Sequence, residues 1–212
     1  MDWDIITDWG DEKEDKEEIL VVDKKHKRGR KTELYYRETK NIYRKAFSEL
    51  TLIDLMKEEK LKKGYQYNFI TAGDVDSLSF LKLVLRQQQL DYLLFSTWCM
   101  ASDDILQLEE WLENGTIKKM DAYLGEIFPK SYPFEWRKIN ELFDKYQCGR
   151  IAVFRNHSKI YAGYGSDFYF GIQTSANINT NPRCENACIT IEKGIFDFYK
   201  EYFDKINTII KE

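Results

Sequence analysis

The chain has 212 residues, a mass of 25.3 kDa and a formal charge of −4 at pH 7, with 43% hydrophobic and 32% charged residues. That length and balance fit one substantial soluble domain, and the net negative charge argues against indiscriminate coating of nucleic acid while leaving room for a local basic groove. No apolar run approaches the roughly 20 residues of a bilayer span, and the acidic start lacks the apolar stretch of a secretory signal, so a cytoplasmic protein with no membrane span is expected.

Residues 2–18 carry nine acids against Lys13 and Lys16. After a short apolar run at 19–22 the sign flips to Lys24, Lys25, Lys27, Arg28, Arg30 and Lys31. Such a reversal marks a charged arm, residues 1–36, acidic and then basic. Two readings of it stand. One is a solvated tail; the other is a basic loop that touches substrate phosphates and is shielded by the acidic segment otherwise. In the second, those six cations are the substrate-binding candidates. Residues 38–60 are expected to be helical on the stripe Tyr43, Phe47, Leu50, Leu55 and Met56, a helical lead-in over 37–64 that ends at Lys62-Lys63-Gly64.

From residue 65 to 212 strands and helices alternate. Residues 67–71 read as a short strand, with Asp74 and Ser77 as candidate helix caps before the apolar face Leu78, Leu81, Val84 and Leu85. Residues 92–98 form an apolar strand, and Ser102-Asp103-Asp104 opens a helix with Ile105, Leu108 and Leu112 inward. Asn114-Gly115 stops that helix. A strand at 117–124, a helix at 134–146 and a strand at 151–155 follow, the last running directly at His157. Residues 158–164 and 168–174 read as a hairpin turned through Gly165-Ser166-Asp167, and 187–191 as a last short strand. The closing helix carries Ile195, Tyr199, Tyr202, Ile206 and Ile209 at steps of four and three, an amphipathic signature. Trp98, Met100 and Trp111 read as core. The fold class expected is α/β, a mixed sheet flanked by helices.

Cys99, Cys148, Cys184 and Cys188 form no C-x-x-C pair, and the chain has only His26 and His157 as histidines. Neither a disulfide framework nor a metal site is predicted, and no cofactor.

The chemistry concentrates in residues 157–188. His157 and Lys159, two apart on an extended segment, project to the same side of the chain. Ser175, Asn177 and Glu185 follow, adding a hydroxyl, an amide and a carboxylate. A nucleophilic histidine, a cationic clamp, an amide donor and a histidine-orienting acid are the groups needed to hold and turn over a phosphate ester. Strand ends of α/β sheets are where such folds carry ligands.

This ordered set resembles the phospholipase D superfamily, whose members carry His-x-Lys, four residues, Asp, and then Gly-Ser-x-Asn. His157 and Lys159 match the first two letters, and Thr174-Ser175-Ala176-Asn177 is similar to the second segment with Thr for Gly. Glu185-Asn186 before an apolar strand is similar to the Glu-Asn pair of single-motif bacterial nucleases. Asn177-Ile178-Asn179-Thr180-Asn181-Pro182-Arg183 is similar to a segment of phage-encoded members. The resemblance spans residues 65–212, departs at Tyr164, where the family aspartate should fall, and leaves Asp167 three residues further on. It implies a phospholipase D-like half-site domain and a metal-independent phosphodiesterase, a nuclease rather than a lipid enzyme. His157 would form a phosphohistidine, Lys159 and Asn177 would bind phosphate oxygens, Glu185 would fix the imidazole tautomer, and Ser175 would support them. A single motif further implies a homodimer that supplies a second histidine, with nucleic acid as the partner. The alternative is a catalytically impaired relative that binds nucleic acid or a protein without cleavage.

Overall fold

The computed structural model describes residues 40–46, 49–72, 75–179 and 183–208. The apolar runs found in the sequence become strands of a single eight-stranded sheet. These are β1 (Lys40–Ala46), β2 (Tyr65–Ala72), β3 (Leu90–Thr97), β4 (Met120–Gly125), β5 (Ile151–Phe154), β6 (Ile160–Gly165), β7 (Tyr169–Thr174) and β8 (Cys184–Thr190). Their order across the sheet is β1-β2-β8-β7-β6-β3-β4-β5. β1 runs parallel to β2, and β3, β4 and β5 are mutually parallel, whereas β6, β7 and β8 form an antiparallel middle. The architecture is a mixed α/β sheet flanked by helices, as the alternation predicts.

Side-chain alternation divides the core between the two faces. On β3, Leu93 and Phe95 join the larger cluster and Leu94 the smaller one; on β6, Tyr161 and Ala162 divide the same way. The larger cluster is covered by α1 (Glu49–Leu55), α2 (Ser77–Leu85), α3 (Ser102–Glu113), α4 (Phe128–Ser131) and α5 (Pro133–Tyr146), through Leu52, Leu78, Leu81, Ile105, Leu108, Phe128, Ile139 and Leu142. Each such buried side chain contributes about 1.5–3 kcal/mol of transfer free energy. The smaller cluster lies under α6 (Lys193–Asp204), through Phe196, Tyr199 and Phe203.

Local chemistry explains the helix boundaries. Asp76 caps α2 by accepting from the Ser79 amide at 2.9 Å. Gly115, at φ +76°, turns the chain out of α3 in the left-handed region that glycine enters freely. Pro133 opens α5, where its missing N–H costs nothing.

The structure corrects several expectations. Residues 40–46 form an edge strand beside β2 rather than part of a helix; only Glu49–Leu55 of the lead-in is helical. Of the stripe predicted for the closing helix, Ile195, Tyr199 and Ile206 pack on the smaller cluster with Phe196 and Phe203, and Tyr202 is instead 48% exposed. In α3, Trp111 is buried with Ile105 and Leu108, and Leu112 is only partly so. Asp76, not Asp74, supplies the α2 cap, and Ser77 instead hydrogen-bonds the Tyr161 hydroxyl at 2.6 Å. Residues 1–36, with His26 and the six cations of the arm, and also Phe47, Asp74 and Ile209, lie outside the described residues.

Candidate active site

Strand directions bring the singled-out residues to one edge of the sheet. β3, β4 and β5 end there, β6 begins there, β7 ends there and β8 begins there. His157 and Lys159 lie in the connection from β5 to β6, Ser175 and Asn177 directly after β7, and Glu185 at the start of β8.

The connection carrying His157 is fixed by a buried amide. Asn156 donates from Nδ2 to Ser96 Oγ and to the Tyr123 carbonyl, each at 2.9 Å. Its Oδ1 accepts from the Ser158 amide at 2.9 Å and the Ser158 hydroxyl at 2.7 Å. Ser158 and Ser96 hydroxyls then meet at 2.6 Å. With Asn156 and Ser158 anchored inward, His157 between them is exposed at the edge. Its ring lies against the Trp98 indole, with centroids 5.4 Å apart and planes tilted by 52°.

Lys159 is only 7% exposed. Its ammonium lies 2.9 Å from His157 Nδ1, 3.4 Å from Nε2 and 2.7 Å from the His157 carbonyl oxygen. Burial pushes its pKa below the ordinary lysine value, and the nearby Cys99 and Glu185 oppose that shift.

The turn after β7 is bound to both neighbours. The Thr174 amide donates to the Lys159 carbonyl at 3.1 Å, and the Thr174 hydroxyl donates to the Asn186 carbonyl at 2.9 Å while accepting from the Ala176 amide at 3.1 Å. Ser175 and Asn186 are tied twice: the Ser175 amide donates to the Asn186 carbonyl, and the Asn186 amide donates to Ser175 Oγ, each at 3.0 Å. The Ser175 hydroxyl donates to the Glu185 carboxylate. Asn177 Oδ1 accepts from the Trp98 amide at 3.4 Å, which leaves the Nδ2 end of that side chain to donate elsewhere.

His157, Lys159, Ser175, Asn177 and Glu185 therefore share one edge. The carboxylate of Glu185 is engaged by Ser175, and the imidazole by Lys159. A Glu185–His157 bond would require both to exchange partners.

Two further positions lie elsewhere. The Tyr164 ring is on the α6 face, with centroids 5.0 Å from Tyr169, 5.4 Å from Phe196 and 6.1 Å from Tyr92. Asp167 occupies the β6–β7 turn at the opposite end of these strands, where its amide donates to Gln88 Oε1 at 3.0 Å. It is far from His157 and Lys159, which lie at the other end of β6. Sequence reasoning missed Asn156 and assigned Trp98 to core alone; no local motif marks either. Among the described residues, no group of three or more His, Cys, Asp or Glu side chains is placed to hold a metal ion, and no helix is long and apolar enough to cross a membrane.

No family model matches this chain, and no curated protein sequence does. The fold does have solved counterparts. Phosphatidylserine synthase of Haemophilus influenzae Rd KW20 superposes with a TM-score of 0.50 at 14% identity, over 66% of this chain and 37% of that one. Polyphosphate kinase from Porphyromonas gingivalis does so with a TM-score of 0.50 at 12% identity, over 74% of this chain and 29% of that one. The likeness is one of fold. The chain spans well under half the length of either.

Proposed function

We propose that this protein is a metal-independent phosphodiesterase, a nuclease that works through a phosphohistidine in a homodimer. The observation that carries the reading is the exposed imidazole of His157, in contact with Lys159 at the same end of the sheet as Asn177, Ser175 and Glu185. In the first step a ring nitrogen of His157 attacks phosphorus, the P–N bond forms and the bond to the leaving oxygen breaks. The leaving oxygen takes its proton from a second imidazole, which then removes a proton from water as water displaces His157. Lys159 and the Nδ2 end of Asn177 stabilise the charge on the non-bridging oxygens. Glu185, released from Ser175, holds the tautomer of His157.

The only other histidine of the chain is His26, in the charged arm. The second imidazole is therefore assigned to the His157 of a second copy across a twofold axis. The names of the two structural counterparts, a phosphatidylserine synthase and a polyphosphate kinase, both denote phosphate-group chemistry and support the reaction class. Nucleic acid is favoured as substrate by the basic run at 24–31 and by the absence of a recognisable apolar entry element for lipid in the sequence.

A second reading rests on Tyr164, whose ring is part of an aromatic cluster where the family pattern has an organising aspartate. In it, the chain binds nucleic acid or a protein without cleaving. Cleavage of labelled single- and double-stranded DNA in excess EDTA, beside His157→Ala, separates the two. Metal-free cleavage that vanishes in the variant supports the nuclease. Salt-sensitive binding with no cleavage across pH 5–8 supports the binding protein.

A further inference from the structure

The residue that reaches both the nucleophile and the amide donor is Trp98, at the end of β3. Its ring packs on the imidazole of His157 at 5.4 Å, and its backbone N–H holds Asn177 Oδ1 at 3.4 Å. It can approach the His157 connection because position 125 carries no side chain. A Cβ on Gly125 would lie 2.6 Å from Trp98 Cδ1, 3.0 Å from the Asn156 carbonyl oxygen and 3.1 Å from the Trp98 carbonyl oxygen. Separations of that kind are closer than packed carbon atoms permit. Gly125 is thus a socket, fitted to the indole on one side and to the backbone next to His157 on the other.

We propose that Trp98, seated in the Gly125 socket, is the positioning residue of the site, fixing the ring plane of His157 and the outward end of the Asn177 amide together. This rests on the phosphodiesterase reading for its catalytic consequence, but not for its geometry. His157 is exposed and its carboxylate candidate, Glu185, is engaged by Ser175. Only two contacts of the imidazole stand out, Lys159 in hydrogen-bond range and Trp98 against the ring. The ammonium, 2.9 Å from Nδ1 and 3.4 Å from Nε2, singles out neither nitrogen, whereas the indole packs against the ring itself and limits its rotation. A nucleophile must be aimed to within a few tenths of an ångström, and a misplacement of about 1 Å can cost about 10²-fold in rate.

The test combines imidazole ¹⁵N spectra with steady-state kinetics for Gly125→Ala, Trp98→Leu and Trp98→Phe. With only two histidines in the chain, His157→Ala assigns the signal. The ¹⁵N shifts report the tautomer and are little affected by loss of the indole ring current. In wild type they should show a single tautomer. In Gly125→Ala and Trp98→Leu they should move toward the averaged values of a free imidazole, with kcat down about 10- to 100-fold and KM nearly unchanged. Trp98→Phe, which keeps a ring, should restore most of both. If Gly125→Ala does not fold, the two Trp98 variants decide. Folded variants with wild-type ¹⁵N shifts would overturn the proposal. If wild type shows no turnover at all, the activity reading fails alone and the ¹⁵N shifts still test the positioning.

Discussion

Lys159 Nζ lies 2.9 Å from His157 Nδ1. The same ammonium is 3.4 Å from Nε2, so it sits against both ring nitrogens and its position assigns no tautomer. A phosphate oxyanion arriving at this edge competes with the imidazole for the same cation. Its binding would therefore draw Lys159 off the ring, and the Glu185 carboxylate, which only accepts, could then take a hydrogen bond from the ring nitrogen that carries the proton. The residues that compete for partners are the ones the proposed reaction would use.

Lys159 should set the alkaline limit of activity. Burial lowers its pKa, so its positive charge is lost at lower pH than that of an exposed lysine. The alkaline limb of the kcat/KM profile is expected below the ordinary lysine range. In Lys159→Arg that limb should disappear with activity reduced but measurable, because a guanidinium does not titrate there. Lys159→Met should lose about 10²- to 10³-fold in kcat. The sign of the stability effect is opposite. A lysine whose folded pKa is depressed costs stability below the folded value and recovers it as pH rises toward the unfolded one. Urea unfolding at pH 7 should find Lys159→Met as stable as wild type or more so, by about 1 kcal/mol. A methionine variant with near-normal turnover would remove Lys159 from the mechanism.

Asn156 is expected to matter out of proportion to its lack of contact with substrate. Its amide donates to the Tyr123 carbonyl and Ser96 Oγ while its oxygen holds Ser158. Asn156→Asp keeps the shape but places a carboxylate against the Tyr123 carbonyl, an acceptor facing an acceptor. A loss of about 1–3 kcal/mol in unfolding free energy is predicted. Activity of the folded fraction should also fall, because the same bonds aim the connection between β5 and β6. Unfolding curves and kcat measured on one preparation would expose a discrepancy.

How far the sequence discloses this protein can be argued from particular segments. The hairpin of β6 and β7 is legible because a Gly-Ser-Asp turn separates two alternating runs, and α5 because its apolar positions follow a single helical stripe. β1 is not legible: Tyr43, Phe47 and Leu50 fall at helical steps, yet residues 40–46 pair with β2 more than twenty positions away. Such pairing overrides local preference. The site divides in the same way. His157, Lys159, Ser175, Asn177 and Glu185 stand out by residue type and order. Asn156, Trp98 and Gly125 do not, since each depends on at least one partner far along the chain, Trp98 reaching Gly125 and Asn177 at separations of 27 and 79 residues and Asn156 reaching Ser96. On α6 the stripe is legible at Ile195, Tyr199 and Ile206 but not at Tyr202, because tyrosine and phenylalanine lie side by side there and hydrophobicity alone does not mark which one faces inward.

An aspartate placed at position 164 should not raise activity. The Tyr164 side chain stacks on Tyr92 and Tyr169 and meets Phe196 edge-on, with its ring on the face covered by α6. Tyr164→Asp would remove that packing and leave a carboxylate among aromatic rings. A loss of about 3–5 kcal/mol is expected, read as a lowered thermal midpoint, with turnover no higher than wild type. A several-fold gain in cleavage would instead show that this position communicates with the site, and would favour the impaired-enzyme reading of the natural chain.

Asp104 offers a pH dependence that belongs to the frame of the site. It lies in the first turn of α3, where its carboxylate accepts from the Ala101 amide at 3.3 Å, and the same amide donates to the Ile178 carbonyl at 2.9 Å beside Asn177. Burial, and after it the charge of Asp76, raises its pKa to about 6. A carboxyl group whose folded pKa exceeds its unfolded one is held protonated more tightly in the native state. Its contribution is therefore fully present below the ordinary aspartate value near 3.8 and is lost as pH rises through about 6. Wild type should shed about 1–2 kcal/mol on this account between pH 4 and pH 6.5. Asp104→Asn, which can still accept from Ala101 and carries no charge, should lack that part of the slope and be the more stable protein at pH 7. The comparison is the difference between the two unfolding free energies across that range, which cancels the other carboxylates. Parallel curves for the two proteins would mean that Asp104 titrates normally and that the edge carrying Asn177 is insensitive to its charge.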